Sequence, residues 1–328
     1  MLLLNKEDIK KVFTMRDAIE ADKEAFRLYT ENKTVTPIRT NIQAEKQGGS
    51  MLFMPGYVED LDSAGVKIVS VFPENAKKGL PVTPATVLLL DGITGEVCAI
   101  LDGTYITQLR TGAASGAAFD VLGKKDAKIG ALIGTGGQAE CQLEAMLTAR
   151  DLVEVRVFNR NLEKAEAFAE EMESLARSYG AKLIAVDSSD KAVDGADLVI
   201  AVTTSNTPVF DGNRLQRGTT ISGVGSYMPN MQELDVTTLN RASKIFMESK
   251  EAVLSEAGDF ITPIKNGTFK EEDITGELGG VINGSLEGRE DDDEIILFKT
   301  VGIGVQDVVT AKKIYDKAKE LGIGTEWK

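Results

Sequence analysis

The chain has 328 residues, with 37 basic side chains, 51 acidic ones and no histidine, a formal charge of −14. Without histidine there is no Ser-His-Asp or Cys-His nucleophile, no histidine-ligated zinc or haem, and no imidazole acid or base near neutrality. The acid excess speaks against a dedicated nucleic-acid binder, which would carry a basic face. The opening run MLLLNKEDIKKVF is too short in apolar residues for a signal peptide, and no stretch approaches the ~20 apolar residues of a membrane span. Cys98 and Cys141 are the only cysteines, so no disulfide framework is expected and a cytoplasmic setting fits. The length suggests roughly two domains.

In chain order, residues 15–32 place apolar side chains at helical spacing and predict an amphipathic helix. Strand-like pieces follow at TPIRTNIQ, SMLFMPGYV and AGVKIVSVF, and PATVLLLDGITGEVCAILDG reads as a hairpin around DGITG. Residues 103–122, rich in Ala, Gly and Ser, predict a close-packing helix. From Gly123 the pattern changes. AKIGALIG, VEVRVF, AKLIAVD, ADLVIAVTT, TTISGVG and SKIFMES read as six strands, the earlier ones alternating with helices, which means a parallel sheet covered on both faces. GREDDDE reads as an acidic surface turn, and VGIGVQDVVTAKKIYDKAKELG as a final helix that returns to the first domain.

The first predicted strand of the parallel region runs into Gly134-x-Gly136-x-x-Ala139, with Gly137 and Gln138 between, and the motif opens a predicted helix. Gly134 permits a tight turn, Gly136 lets the backbone approach a pyrophosphate, and Ala139 keeps the helix close to the sheet. The helix N-terminus offers N–H groups to the phosphates. At the end of the second strand NAD-preferring domains carry an acid for the ribose 2′-hydroxyl. Here Asn159 and Arg160 stand instead, suited to a 2′-phosphate, so NADP (NADPH) is the expected cofactor, with NAD possible. Thr203, Thr204 and Ser205 follow the fourth strand, where parallel sheets line a ligand crevice.

Lys67 lies in Val66-Lys67-Ile68-Val69-Ser70-Val71, a strand apolar on both faces, and a buried ammonium needs an anion from the protein or from a ligand. Arg39 and Arg110 are two further cations in low-charge segments, and for them too a structural partner and a ligand both stay open.

The run Asp102-Gly103-Thr104-Tyr105-Ile106-Thr107-Gln108-Leu109-Arg110-Thr111-Gly112-Ala113 resembles the signature segment of the ornithine cyclodeaminase/mu-crystallin family, and the likeness extends over nearly the whole chain. The resemblance implies an α/β fold: a Rossmann NAD(P)-binding domain, residues 123–304, and an α+β substrate and dimerisation domain, residues 1–122 plus 305–328. It implies a homodimer, and a substrate carboxylate held by Arg39, Lys67 and Arg110 near the nicotinamide. Asp307 matches an aspartate recurrent at the start of the returning helix, which implies a place beside the nicotinamide; capping that helix is the simpler expectation.

Two departures from the ornithine cyclodeaminase pattern stand out. Tyr227, in Gly225-Ser226-Tyr227-Met228-Pro229, takes the place of the catalytic aspartate, and Leu52, before Met54-Pro55, that of a glutamate near the substrate amino group. Gly225 and Ser226 belong to a loop more like the imine-reducing branch and are expected at the cofactor. The reading is therefore an NADPH-dependent reductase of a small imino or keto acid, with 1-pyrroline-2-carboxylate reduced to L-proline as the foremost candidate. Lys67, its pKa lowered by the arginines, is a candidate proton donor. Three alternatives stay open: an ornithine cyclodeaminase with bound NAD, an alanine dehydrogenase-like enzyme, and a non-catalytic NADPH-dependent ligand-binding protein.

Overall fold

A computed structural model describes residues 1–328. The chain divides into two compact units, residues 1–110 with 302–328, and residues 111–301. The division falls within the helix Gly103–Leu122. No helix is long and apolar enough to cross a membrane.

The first unit is built on an eight-stranded sheet. Across it the strands run Thr325–Glu326, Leu2–Leu4, Val97–Asp102, Ala85–Asp91, Ser63–Val71 and Gly49–Val58, with Thr34–Val35 and Thr40–Ala44 both on the outer edge of Gly49–Val58. Every pairing is antiparallel except that of Leu2–Leu4 with Val97–Asp102. The expected hairpin is Ala85–Asp91 with Val97–Asp102, its turn held by Asp91 Oδ1, which accepts from the N–H groups of Ile93 and Thr94.

The amphipathic helix is Met15–Thr30. It starts with a reciprocal cap: Thr14 Oγ1 accepts from Asp17 N, and the Asp17 carboxylate accepts from Thr14 N. Such a cap contributes ~1 kcal/mol, and the buried face of Ala18, Ile19, Ala25 and Phe26 contributes more. The helix Gly304–Leu321 lies beside it and across the strands Gly49–Val58 and Ser63–Val71. Two glycines allow this approach. Gly56 and Gly65 face each other across the strand pair, and a Cβ on either would lie 3.2 Å from a Val308 methyl. Lys67, two residues beyond Gly65, points to the same sheet face by the two-residue period of a strand.

The second unit is an eight-stranded sheet, parallel throughout. Its strand order is Lys182–Val186, Glu154–Phe158, Ile129–Ile133, Leu198–Ala201, Thr220–Gly223, Ile296–Lys299, Lys244–Met247, Gly276–Glu277. Its central strands are buried along their length, as in a parallel sheet covered on both faces. The six expected strands are present. A seventh, Ile296–Lys299, inserts between Thr220–Gly223 and Lys244–Met247, and the two-residue Gly276–Glu277 closes the far edge. The chain winds outward from Ile129–Ile133 in one direction, then restarts on its other side at Leu198–Ala201. That switch point is where such sheets bind ligands.

Candidate active site

Lys67 sits mid-strand, paired with Met54 on one side and Val87 on the other, and is 1% exposed. The protein supplies its anion. Asp307, in the first turn of Gly304–Leu321, brings carboxylate oxygens to 2.8 and 3.0 Å from Nζ. The same carboxylate lies 3.2 Å from Arg110 Nε. Asp307 therefore stands at the expected helix start, but its carboxylate is taken by two cations rather than by the backbone; Ile303 holds the N-cap position. The close approach permitted by Gly56 and Gly65 is what lets a helix residue reach a strand lysine 240 positions away.

Gly302 brings the third cation in. Arg39, half-buried in the segment between Thr34–Val35 and Thr40–Ala44, donates from Nη2 to the Gly302 carbonyl at 2.7 Å. Gly302 has φ +82°, and a Cβ there would lie 2.3 Å from Arg110 Nη1. One glycine thus receives one arginine on its carbonyl and the other against its α-carbon. Arg110 is 4% exposed and is supported further by Gln306, whose Oε1 lies 3.5 Å from Nη1 and accepts from Ile303 N. Gln306 Nε2 in turn donates to the buried carboxylate of Asp22 at 2.9 Å.

Lys67 and Arg110 thus share one facing carboxylate, with Arg39 brought alongside through the Gly302 carbonyl. Burial, reinforced by the Arg110 and Arg39 charges, pushes the Lys67 ammonium down to about 7, against the pull of Asp307. Leu52 pairs with Val69 and shares the sheet face of Met54 and Lys67, so the position expected to lack an acid is an apolar wall beside the lysine.

In the second unit the glycine loop follows Ile129–Ile133 and leads into the helix Ala139–Ala149. Gly134 has φ +111°, and a Cβ on it would lie 2.5 Å from the Val202 carbonyl, so both conformation and space demand glycine. Gly136 and Gly137 are exposed, and a Cβ on Gly136 would meet nothing within 4 Å. The helix has Gln138 as N-cap with no side-chain cap, and Ala139 is fully buried beneath it. An open glycine turn before an uncapped helix start at a switch point fits the diphosphate of a dinucleotide.

Asn159 Nδ2 donates to Thr135 Oγ1, and its Oδ1 accepts from Asn161 N, so it braces the glycine loop against the next helix. Arg160 is exposed next to it. Thr203, Thr204 and Ser205 follow Leu198–Ala201, with Thr204 exposed and Ser205 N donating to Thr203 Oγ1. Gly225 and Ser226 follow Thr220–Gly223, and Tyr227 is half-buried in the same loop. The glycine loop, the Thr203 loop and the Gly225–Ser226 loop thus gather at neighbouring strand ends.

Sequence reasoning passed over Gly302, Gln306 and Asp22. Asp22 had a signal, a lone acid four residues after Ala18 on the apolar face of its helix. The others had none, since their partners are remote in sequence.

A switch-point glycine loop and a buried cation cluster are the equipment of a nicotinamide-dependent oxidoreductase. The family model described as "Ornithine cyclodeaminase/mu-crystallin family" matches residues 1–322, and the chain belongs to that family. A Delta(1)-pyrroline-2-carboxylate reductase of Bacillus cereus is 40% identical over 324 residues, 99% of this chain and 98% of that protein. The solved Thermococcus litoralis Delta(1)-pyrroline-2-carboxylate reductase, in complex with NADH and L-proline, matches with TM-score 0.94 and 42% identity over 100% of both chains. An archaeal alanine dehydrogenase dimer with bound NAD matches with TM-score 0.92 and 34% identity, over 100% of this chain and 99% of that one.

Proposed function

We propose that the protein reduces 1-pyrroline-2-carboxylate to L-proline with a reduced nicotinamide dinucleotide. The observation that carries this reading is the buried pair Lys67 and Arg110 on one carboxylate, Asp307: two cations to one facing anion leave attraction for a substrate carboxylate, with Arg39 held alongside through Gly302. The apolar Leu52 beside it suits the hydrocarbon ring of a cyclic imine better than the second ammonium of a diamine. The two reductases described above act, by name, on this substrate.

Charge-assisted bonds from Lys67 Nζ and the guanidinium groups of Arg110 and Arg39 would hold the carboxylate and fix the neighbouring C=N carbon. The loops after Ile129–Ile133, Leu198–Ala201 and Thr220–Gly223 would hold the dinucleotide, which when bound supplies the hydride. The imine nitrogen must gain a proton, from solvent or from Lys67 Nζ, whose pKa near 7 leaves that proton transferable. An arriving carboxylate adds a second anion beside Lys67 and strengthens its charged form.

NADPH preference over NADH is proposed for the exposed Arg160, placed where an acid would otherwise accept from the ribose. A homodimer is proposed for the first unit, whose outer edge bears the exposed apolar side chains Val35, Ile38 and Ile42. The experiment that tests the main reading is Lys67→Met. It is expected to abolish turnover while NAD(P)H binding, read by fluorescence, persists. Activity close to wild type would overturn the assignment.

A further inference from the structure

Glu233 is fully buried in the second unit and takes no part in the chemistry above. Its side chain accepts three backbone N–H groups. Oε1 receives Thr203 N at 2.5 Å, and Oε2 receives Gly225 N at 2.5 Å and Ser226 N at 3.1 Å. Thr203 follows the strand Leu198–Ala201, and Gly225 and Ser226 follow its neighbour Thr220–Gly223. One carboxylate therefore ties together two loops at adjacent strand ends. The loops are already in contact, since a Cβ on Gly225 would lie 2.0 Å from the Thr203 carbonyl.

The tie is anchored from behind. The Glu233 and Leu234 N–H groups both donate to Asp259 Oδ1, at 2.7 and 3.0 Å. Asp259 Oδ2 is paired with Lys299 Nζ at 3.1 Å, and all three charged side chains are fully buried. Ser226 Oγ donates to Met231 O at 2.9 Å, which fixes the turn between the loop and Glu233.

We propose that Glu233 is a positioning residue for the dinucleotide: its ionised carboxylate sets the spacing of the two cofactor-facing loops and so couples cofactor affinity to pH. The proposal rests on the reading of these loops as part of the cofactor cradle. A carboxylate can accept from three converging N–H groups, whereas a carboxylic acid must turn an O–H toward one of them or give up an acceptor. Proton uptake therefore loosens the tie. The charged groups facing Glu233 are Lys299, from the strand Ile296–Lys299, and Asp259, from the helix Gly258–Lys265. Burial, with Asp259 adding to it and Lys299 opposing, pushes the Glu233 carboxyl up to about 7. Its protonation then falls within an accessible range.

The test is direct binding of NADH, whose diphosphate stays ionised throughout, followed by fluorescence on the whole protein between pH 8 and pH 6. The wild-type Kd should rise about tenfold across that interval, the change expected for one proton on a group near 7. Glu233→Gln should bind NADH weakly at both pH values, without that slope. The wild-type profile needs no variant, and a flat one overturns the proposal. A slope that persists in Glu233→Gln also overturns it, by assigning the proton to another group such as Lys67. Failure of the wild type to bind either NADH or NADPH at either pH overturns the cofactor reading and this proposal with it.

Discussion

Gly302→Ala is the sharpest perturbation of the cation cluster. The new methyl carbon would start 2.3 Å from Arg110 Nη1, 2.9 Å from Nη2 and 3.0 Å from Cζ, so the guanidinium must retreat by about 1 Å to reach ordinary contact. The backbone at φ +82° adds strain of ~1–2 kcal/mol for any residue with a Cβ. Arg110 is not free to swing away, because Asp307 holds Nε and Gln306 lies against Nη1. Arg39 loses alignment too if the Gly302 carbonyl turns. A misplacement of ~1 Å in a positioning group costs on the order of 100-fold in rate. The assay is the steady-state loss of NAD(P)H absorbance with 1-pyrroline-2-carboxylate, beside a fluorescence titration of the cofactor. kcat/KM should fall about 100-fold while cofactor affinity holds, since the glycine loop belongs to the other unit. A folded variant within threefold of wild type would refute the claim that these arginines grip the substrate through Gly302.

The pH profile follows from Lys67. Its folded pKa lies near 7 rather than 10.5, so the free enzyme loses this cation as pH rises through about 7, and kcat/KM for an anionic substrate should decline on the alkaline side; a rise between pH 7 and 9 would contradict the role. Asp307→Asn removes the anion that supports the charged lysine, so the alkaline limb should move to lower pH and Tm should drop, broken buried pairs costing about 3–5 kcal/mol where the remaining charge cannot neutralise. Arg160→Ala should raise KM for NADPH about tenfold and leave KM for NADH nearly unchanged, a loss of the order expected for one charge-assisted bond; equal effects on both cofactors would remove Arg160 from 2′-phosphate recognition.

Local chemistry was legible in the sequence and long-range chemistry was not. The Gly134–Ala139 turn announces itself because strand, turn and helix are contiguous, and its geometry follows from glycine alone. Lys67 was legible as a buried cation because apolar residues flank it on both faces of one strand. Its partner was not. Asp307 is remote in sequence, and a rule that sees only the start of a helix expects a cap there, whereas the glycine pair Gly56 and Gly65 brings that helix down onto the lysine. Ile296–Lys299 escaped as a strand because four residues after an acidic turn have too short a period to read, and its insertion between two other strands is a property of the assembled sheet. Glu233 was silent for the same reason, since its meaning lies in three backbone N–H groups from two other loops.

Reduction of a cyclic imino acid and deamination of ornithine both yield proline and differ in product stoichiometry. The purified protein is incubated with 1-pyrroline-2-carboxylate and NAD(P)H, and separately with ornithine and NAD, with proline, ammonia and reduced cofactor measured in each. One L-proline should form per NAD(P)H consumed in the first mixture, and no ammonia should appear in the second. Proline and ammonia released from ornithine without net cofactor consumption, with no turnover of the imine, would contradict the reductase reading.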